Sequence, residues 1–348
     1  MGRFFLLAAA AGQNVQNVST LDPVSPPAEW IRYLIIFVTA VSAFILAIVW
    51  GVLFYSLLRF RLKKAGTSVE NEPPQVYGSM PIEIAWTVAP AIIVVLLVLV
   101  IVRTEFEVRA RPLGIDVSPH AVRATVIGHQ WWWEYVIERD GERLVNVTTA
   151  NELHVPASAA EDARPIYLTL KSADVCHSFW VPRLAGKTDL IPGRINEMWF
   201  QTDRPDLYVG QCAEYCGAQH AGMLLSVYFD PPDKFESWLA NEEKPAVDEE
   251  KPAAEDDSVS KGKAAFLAQS CVNCHTIRGT IAHGQVGPDL THLKSRKTIA
   301  AGMFELNRDN LHKWIHDPQQ QKPGCLMPAF GLSDDDVNHI TDYLMTLK

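Results

Sequence analysis

The chain has 348 residues, room for two or three domains, and 48% hydrophobic against 20% charged content is the balance of a membrane component. A net charge of −9 argues against nucleic acid as a partner and is compatible with a basic protein partner. Six cysteines are too few for a disulfide scaffold, and four of them form two close pairs, which points to cofactor ligation.

Residues 1–30 open with "MGRFFLLAAAAGQ", which reads either as a signal peptide cleaved near Ala11 or as a frayed amino terminus. Residues 31–103 are expected to form a transmembrane helical hairpin. Tyr33 to Leu58 carries no charge over 26 residues, and Ile84 to Val102 adds 19 more, against roughly 20 needed to cross a bilayer. Arg59, Arg61, Lys63 and Lys64 follow the first run, so the positive-inside tendency places this loop in the cytoplasm. Everything after about Arg103 then lies on the periplasmic side.

Residues 104–240 show short alternating runs, "AVRATVIG", "EYVIER", "IYLTLKS", "INEMWFQ" and "MLLSVYF", broken by Pro, Gly and Asp. They predict an all-β sandwich outside the membrane. Residues 241–260 hold eight acids, two lysines and two prolines and read as an extended, mobile tether. Residues 261–348 read as all-α, with "RDNLHKWIHDP" a capped amphipathic stretch and Ser333 the N-cap of the last helix.

In that last region "CVNCH", Cys271 to His275, is the c-type haem attachment pattern: Cys271 and Cys274 add to the haem vinyls and His275 becomes an axial ligand. Half a zinc site is the competing reading, but no second cysteine pair follows. Met327 in "KPGCLMPAFG" is the expected sixth ligand, a thioether that raises the reduction potential relative to a second imidazole, with Met303 and Met345 as alternatives. The Pro288 carbonyl is placed to accept the free N–H of His275. With C-x-x-C-H, G-P-x-L and M-P in order, this region resembles a class I cytochrome c.

Earlier, "YVGQCAEYCGAQHAGM" gathers Cys212, Cys216, His220 and Met223 in one loop, a soft donor set suited to copper or zinc. A single blue copper leaves one cysteine surplus, and a structural zinc leaves the methionine idle. Two thiolates bridging two coppers use every residue if another imidazole arrives, and "SADVCHSFWVP" supplies His177.

With these motifs, the chain resembles subunit II of cytochrome c oxidase, whose copper domain is a cupredoxin-like Greek-key sandwich. The resemblance implies a binuclear CuA centre with Cys212 and Cys216 as bridges, His177 and His220 as imidazole ligands, Met223 as thioether and the Glu214 carbonyl as a further ligand. It also implies that the Glu214 carboxylate reaches a magnesium at the boundary with subunit I. In "GHQWWWEY", Trp131 matches the residue where electrons enter, and in "PIEIAWTVAP", Glu83 matches a carboxylate near a proton-channel mouth. Packing is the plainer reading of Trp131 to Trp133, and helix-dipole stabilisation that of Glu83.

The fused cytochrome narrows the resemblance to caa-type haem-copper oxidases. It implies a proton-pumping oxidase that reduces oxygen to water on subunit I. Electrons pass from haem c to CuA and onward to haem in subunit I. Subunits I and III are the implied partners, and a cytochrome c or a quinol-oxidising complex the donor. The implied location is the bacterial inner membrane, multi-pass, with both redox domains on the periplasmic side. A tether would hold the two redox domains at an effective concentration of roughly millimolar order. Three other readings are weaker: a quinol-oxidase homologue would have lost the copper ligands, a nitrous-oxide reductase would carry a large soluble catalytic domain and no membrane hairpin, and a copper-assembly factor would have no use for haem. Cys176 and Cys325 read as small buried hydrophobes, with a disulfide between them on domain docking as the sharper alternative.

Overall fold

A computed structural model describes residues 18–61, 77–109, 121–141, 143–158, 164–246 and 258–348. The expected signal peptide and the Lys63 and Lys64 loop lie outside the described residues. The chain divides into two compact units, one helical and one formed by the remaining domains.

Helices α1 (Pro26–Arg59) and α2 (Met80–Arg109) make up the helical unit. Both outrun the uncharged stretches, because the flanking polar residues also take helical backbone. Their most apolar windows have mean hydropathy 2.6 and 2.9 and bury none of that surface within the protein, so lipid is the solvent that satisfies them. Glu83, in the first turn of α2, accepts the Ser79 amide at 3.2 Å and so caps its own helix.

The second unit begins with a β-sandwich. One sheet contains β1 (Val122–His129), β2 (Trp132–Asp140), β3 (Arg143–Ala150), β5 (Ile166–Ser172) and β8 (Asn196–Phe200), in the order β3-β2-β1-β5-β8. The other contains β4 (Glu152–Pro156), β6 (His177–Trp180), β7 (Thr188–Leu190), β9 (Asp206–Cys212) and β10 (Leu224–Asp230), in the order β4-β10-β9-β6-β7. Parallel pairings of β1 with β5 and β10 with β4 sit among antiparallel ones, so the connections cross over as in a Greek key. Period-two alternation drives the packing: Trp133, Tyr135 and Ile137 of β2, with Ile166, Leu168 and Leu170 of β5 in the same sheet, share one core with Leu225, Val227 and Phe229 of β10 in the other.

Two features differ from the sequence reading. The sandwich closes with a helix, α3 (Pro232–Glu242), started by a proline in its first turn, with Phe235 and Leu239 buried in the sandwich core. The acidic stretch 241–260 is also not wholly extended. Asn241 and Glu242 finish α3, and Ser258 to Ser260 begin the next helix; residues 247–257 lie outside the described residues. Glu242 is buried because Ser295 donates its Oγ–H to the carboxylate at 3.1 Å, and Lys244 O accepts from His292 Nε2 at 3.0 Å.

The carboxyl-terminal domain holds α4 (Ser258–Ala268), the one-turn α5 (Cys271–Cys274), the small hairpin β11 (Thr298–Ile299) and β12 (Phe304–Glu305), α6 (Arg308–His316), the one-turn α7 (Pro318–Gln321) and α8 (Asp334–Leu344). Side-chain caps start α6 and α8: Asn307 accepts the Asn310 amide and Ser333 accepts the Asp336 amide. Asp342 on α8 accepts from Ser258 Oγ at 2.7 Å and Arg308 Nε at 2.7 Å, tying α4 and α6 to it. Phe266, Ile315, Val337, Ile340 and Leu344 fill the core beneath.

Candidate metal and haem centres

The copper-type donors come from three places that the sheet brings together. Cys212 ends β9 rather than lying in a loop, and Phe179 of β6 pairs with it in register, which carries His177 to the same end of the sheet. The Ala213 amide donates to Ser178 O and the Cys212 amide to Met223 O, both at 2.9 Å, folding the segment back so that His220 and Met223 return beneath the sulfurs.

His177, Cys212, Cys216 and Met223 are buried, and Glu214 and His220 half-buried. Cys212 Sγ and Cys216 Sγ are 3.8 Å apart and not bonded to each other. His177 Nδ1 is 3.9 Å from Cys212 Sγ, and His220 Nδ1 is 3.6 Å from Cys216 Sγ. Met223 Sδ lies 3.9 Å from Cys216 Sγ, and the Glu214 carbonyl oxygen 3.2 Å from Cys212 Sγ. Donors bound to one ion at about 2.0 to 2.3 Å stand roughly 3.5 Å apart, so these gaps are the spacing of atoms with an ion between them. His177 clusters with both sulfurs while His220 reaches only the Cys216 end. Two imidazoles flanking a two-sulfur pair fit two ions better than one. The residues present therefore fit a binuclear thiolate-bridged site.

The protonation pattern suits such ligands. A hydrogen bond from Cys216, against burial and aided by His177, pushes the Cys212 thiol down to about 3, and that same bond to Cys212, with burial, pushes Cys216 up. His177 is fully buried and donates Nε2–H to Asp174 Oδ1 at 2.7 Å, which leaves Nδ1 facing the sulfur. Burial alone would push Asp174 up, but hydrogen bonds from His177 and from the Val175 and Gln130 amides hold its carboxyl below the usual range. Asp174 was not singled out in the sequence, although an acid three residues before a ligand histidine is a readable signal. Glu214 turns its carboxylate outward, 3.2 Å from Lys187 Nζ.

The c-type pattern forms the mouth of a second site. The single turn α5 sets Cys271 and Cys274 beside one apolar cavity with Phe266, Leu290, Leu311 and Trp314 among its walls. His275 donates Nδ1–H to Pro288 O at 2.8 Å, as the sequence predicts, which leaves Nε2 free. Burial pushes His275 down and keeps the imidazole neutral, the form a ligand needs. Met327 lines the same cavity. Met303 instead packs toward Gly222 of the sandwich, and Met345 against the helical core.

Two observations test the cavity for haem. Gly287 leaves the histidine its space, since a β-carbon there would lie 2.6 Å from His275 Cε1. Arg296, on the cavity wall, has a buried Nε with no hydrogen-bond partner among the described residues, a donor that a haem propionate would satisfy. The residues fit haem c.

Trp131 joins the two sites. It is 9% exposed, donates Nε1–H to Cys216 O at 2.9 Å, and lines the cavity that holds Cys271 and His275. Gln130 Nε2 donates to the same carbonyl at 2.7 Å. Cys176 and Cys325 are free, and Cys325 Sγ engages Gln319 Nε2 at 3.2 Å within its own domain. The disulfide expected as the sharper alternative is not formed, and exposed Cys176 is not a buried hydrophobe either.

Comparison with known families gives three matches along the chain. Residues 10–103 match the transmembrane domain of cytochrome c oxidase subunit II, residues 122–229 its periplasmic domain, and residues 259–348 cytochrome c. Among curated relatives, cytochrome c oxidase subunit 2 of Alkalihalophilus pseudofirmus is 33% identical, the match covering 96% of this chain and 92% of that one. The protein of the same name from Bacillus sp. PS3 is 32% identical, over 100% of this chain and 96% of that one. Among solved structures, the periplasmic domain of subunit II from Bradyrhizobium japonicum is 29% identical, with a TM-score of 0.31, and covers 35% of this chain and 92% of that one.

Proposed function

The chain belongs to the cytochrome c oxidase subunit II family, with a cytochrome c domain at its carboxyl end, and from that membership we propose that it is the subunit through which electrons enter a caa-type, proton-pumping oxidase. When bound, haem c and CuA supply successive one-electron carriers, which pass electrons to haem in subunit I for the reduction of oxygen to water.

The chain's own residues position those carriers. Cys271 and Cys274 would hold the haem covalently, and His275, oriented by Pro288, and Met327 would hold its iron. His177, Cys212, Cys216, His220, Met223 and the Glu214 carbonyl hold the coppers. Trp131 carries the electron between the sites, and the single observation that carries the proposal is that this indole bonds the copper loop on one side and walls the haem cavity on the other. Its hydrogen bond to Cys216 O makes a short covalent and hydrogen-bonded route to the copper loop.

The outward carboxylate of Glu214 is available for magnesium at the subunit I boundary, with Lys187 as its present partner. Glu83 stands near the proton-channel mouth in this reading, although its capping of α2 accounts for the carboxylate on its own. Subunits I and III are the partners, the donor is a cytochrome c or a quinol-oxidising complex, and the location is the bacterial inner membrane with both redox domains on the periplasmic side. Metal analysis and absorption spectra of the full-length chain in detergent test the proposal. Two coppers, one covalent haem and a near-infrared mixed-valence band are expected; haem with one copper, with zinc or with no metal overturns it.

A further inference from the structure

The cytochrome and copper domains meet through buried charges that neither site consumes. Lys322, at the end of α7, is 2% exposed, and among the described residues its ammonium has no carboxylate partner. Its Nζ donates to Gly222 O at 2.8 Å and Trp131 O at 3.0 Å in the copper domain, and to Ala300 O at 3.1 Å in its own. An ammonium carries three donors, and here each has a carbonyl. Burial pushes the group down to about 8, which leaves it charged at neutral pH.

A reciprocal contact runs the other way. Glu152 of the copper domain is 1% exposed, and its carboxylate accepts from the Lys297 amide at 3.0 Å, the Thr298 amide at 2.7 Å and Thr298 Oγ1 at 2.6 Å, all in the cytochrome domain. Between the two, the turn of the β11–β12 hairpin holds Ala300, Ala301 and Gly302 at φ of 54°, 61° and 76°. Alanines rarely adopt this left-handed backbone. Here it presents the Ala300 carbonyl to Lys322 and the Ala301 carbonyl to the Leu224 amide of β10 at 3.1 Å. Gln219 Nε2 adds a bond to Pro323 O at 2.6 Å beside the copper loop.

We propose that Lys322 and Glu152 are positioning residues that lock the cytochrome domain onto the Trp131 face of the copper domain, reserving that face for the chain's own haem and closing it to an outside donor. Two of the three Lys322 acceptors and the Lys297 and Thr298 donors to Glu152 lie across the boundary, so separating the domains strands both charges. The neutral contacts across the boundary, such as Leu224 amide to Ala301 O and Gln219 Nε2 to Pro323 O, leave no buried charge behind when they part. The proposal rests on the functional reading above. In the locked state an electron leaves ferrous haem, which becomes ferric, and reduces the copper pair by one, with no domain movement in between.

The test uses the complete oxidase with Lys322→Met and, separately, Glu152→Gln. Covalent haem and the near-infrared copper band are checked first; haem-to-copper transfer is then followed after flash reduction, at several viscosities. Wild type is expected to transfer at a rate independent of viscosity. Each variant is expected to slow about tenfold or more, the loss of one charged contact in the docking equilibrium, and to become viscosity-dependent. Added soluble cytochrome c should reduce copper only after haem in wild type, and directly in the variants. Wild-type rates and order of reduction in both variants overturn the lock alone, whereas absence of haem-to-copper transfer in wild type overturns the functional reading and the lock with it. If neither variant retains both centres, hydrogen exchange in unmodified oxidase decides: protection of the Leu224 and Thr298 amides supports the lock, and exchange at the rate of exposed amides overturns it.

Discussion

Replacing Gly128 by alanine is expected to dismantle the copper site without touching a ligand. Gly128 lies in β1, opposite Trp133 of β2, and a β-carbon there would stand 2.8 Å from His177 Cδ2, 3.0 Å from Cγ and 3.2 Å from Cβ. Carbon atoms pack comfortably from about 3.5 Å, so the ring or the strand must yield by about 0.7 Å. Metal–donor distances hold to within about 0.2 Å, so a displacement of that size removes Nδ1 from bonding range. The ring has nowhere to go: it is fully buried, Trp133 packs edge-on at 6.1 Å between centroids, and Asp174 holds Nε2. Overpacking of this kind costs about 1 to 3 kcal/mol, or several degrees of Tm in a domain of this size. Copper content, the near-infrared band and the copper hyperfine pattern of purified Gly128→Ala oxidase read the outcome. Two coppers with unchanged spectra and unchanged Tm would refute the reasoning.

Asp174→Asn removes the carboxylate that orients His177 and is expected to weaken copper retention about 10- to 100-fold, measured as the chelator concentration that strips half the copper. Gly287→Ala drives a β-carbon against His275, so the covalent haem should form but lose its low-spin absorption spectrum; an unaltered spectrum counts against the assigned axial ligand. Burial pushes the Asp342 carboxyl up, but hydrogen bonds from Arg308 and Ser258 outweigh it and leave it below its ordinary value. The bonded, ionised form therefore contributes stability above about pH 4 that is lost as pH falls through the folded value. Asp342→Asn should lower the Tm of the haem domain at pH 7 and converge with wild type below that range, by an amount near 1 kcal/mol or less because the pair is partly solvated. A gap between the two that persists undiminished at low pH would show that the carboxylate's charge is not what stabilises.

The strands that went unread in the sequence are instructive. β1, β2, β5, β8 and β10 alternate clearly, but β3, β4, β6, β7 and β9 do not stand out. β7 has only three residues, and β6 reads "HSFW", buried at three of its four positions, because core packing overrides the alternation. β9 was hidden inside the cysteine motif, whose first thiol closes the strand. α3 was missed because a proline pair looks like a break, whereas proline at the first helical position favours a helix.

Local chemistry was settled by the sequence alone. Long uncharged runs can satisfy their backbone in lipid only as helices, and C-x-x-C-H joins two thiols and an imidazole within one turn. The donors Cys212, Cys216, His220 and Met223, proposed to hold copper, stood out for the same reason, since the chain itself holds them close. What depends on distant strands meeting was decided by the tertiary structure: His177 against Cys212, Asp174 behind His177, and Trp131 between the copper loop and the haem cavity. Lys322 and Glu152 show the limit most sharply. In sequence each is an ordinary charge, and only burial at a domain boundary, where its partners are backbone groups of the other domain, gives it a role. Backbone amides and carbonyls are the same in every residue, so no pattern of side chains announces them.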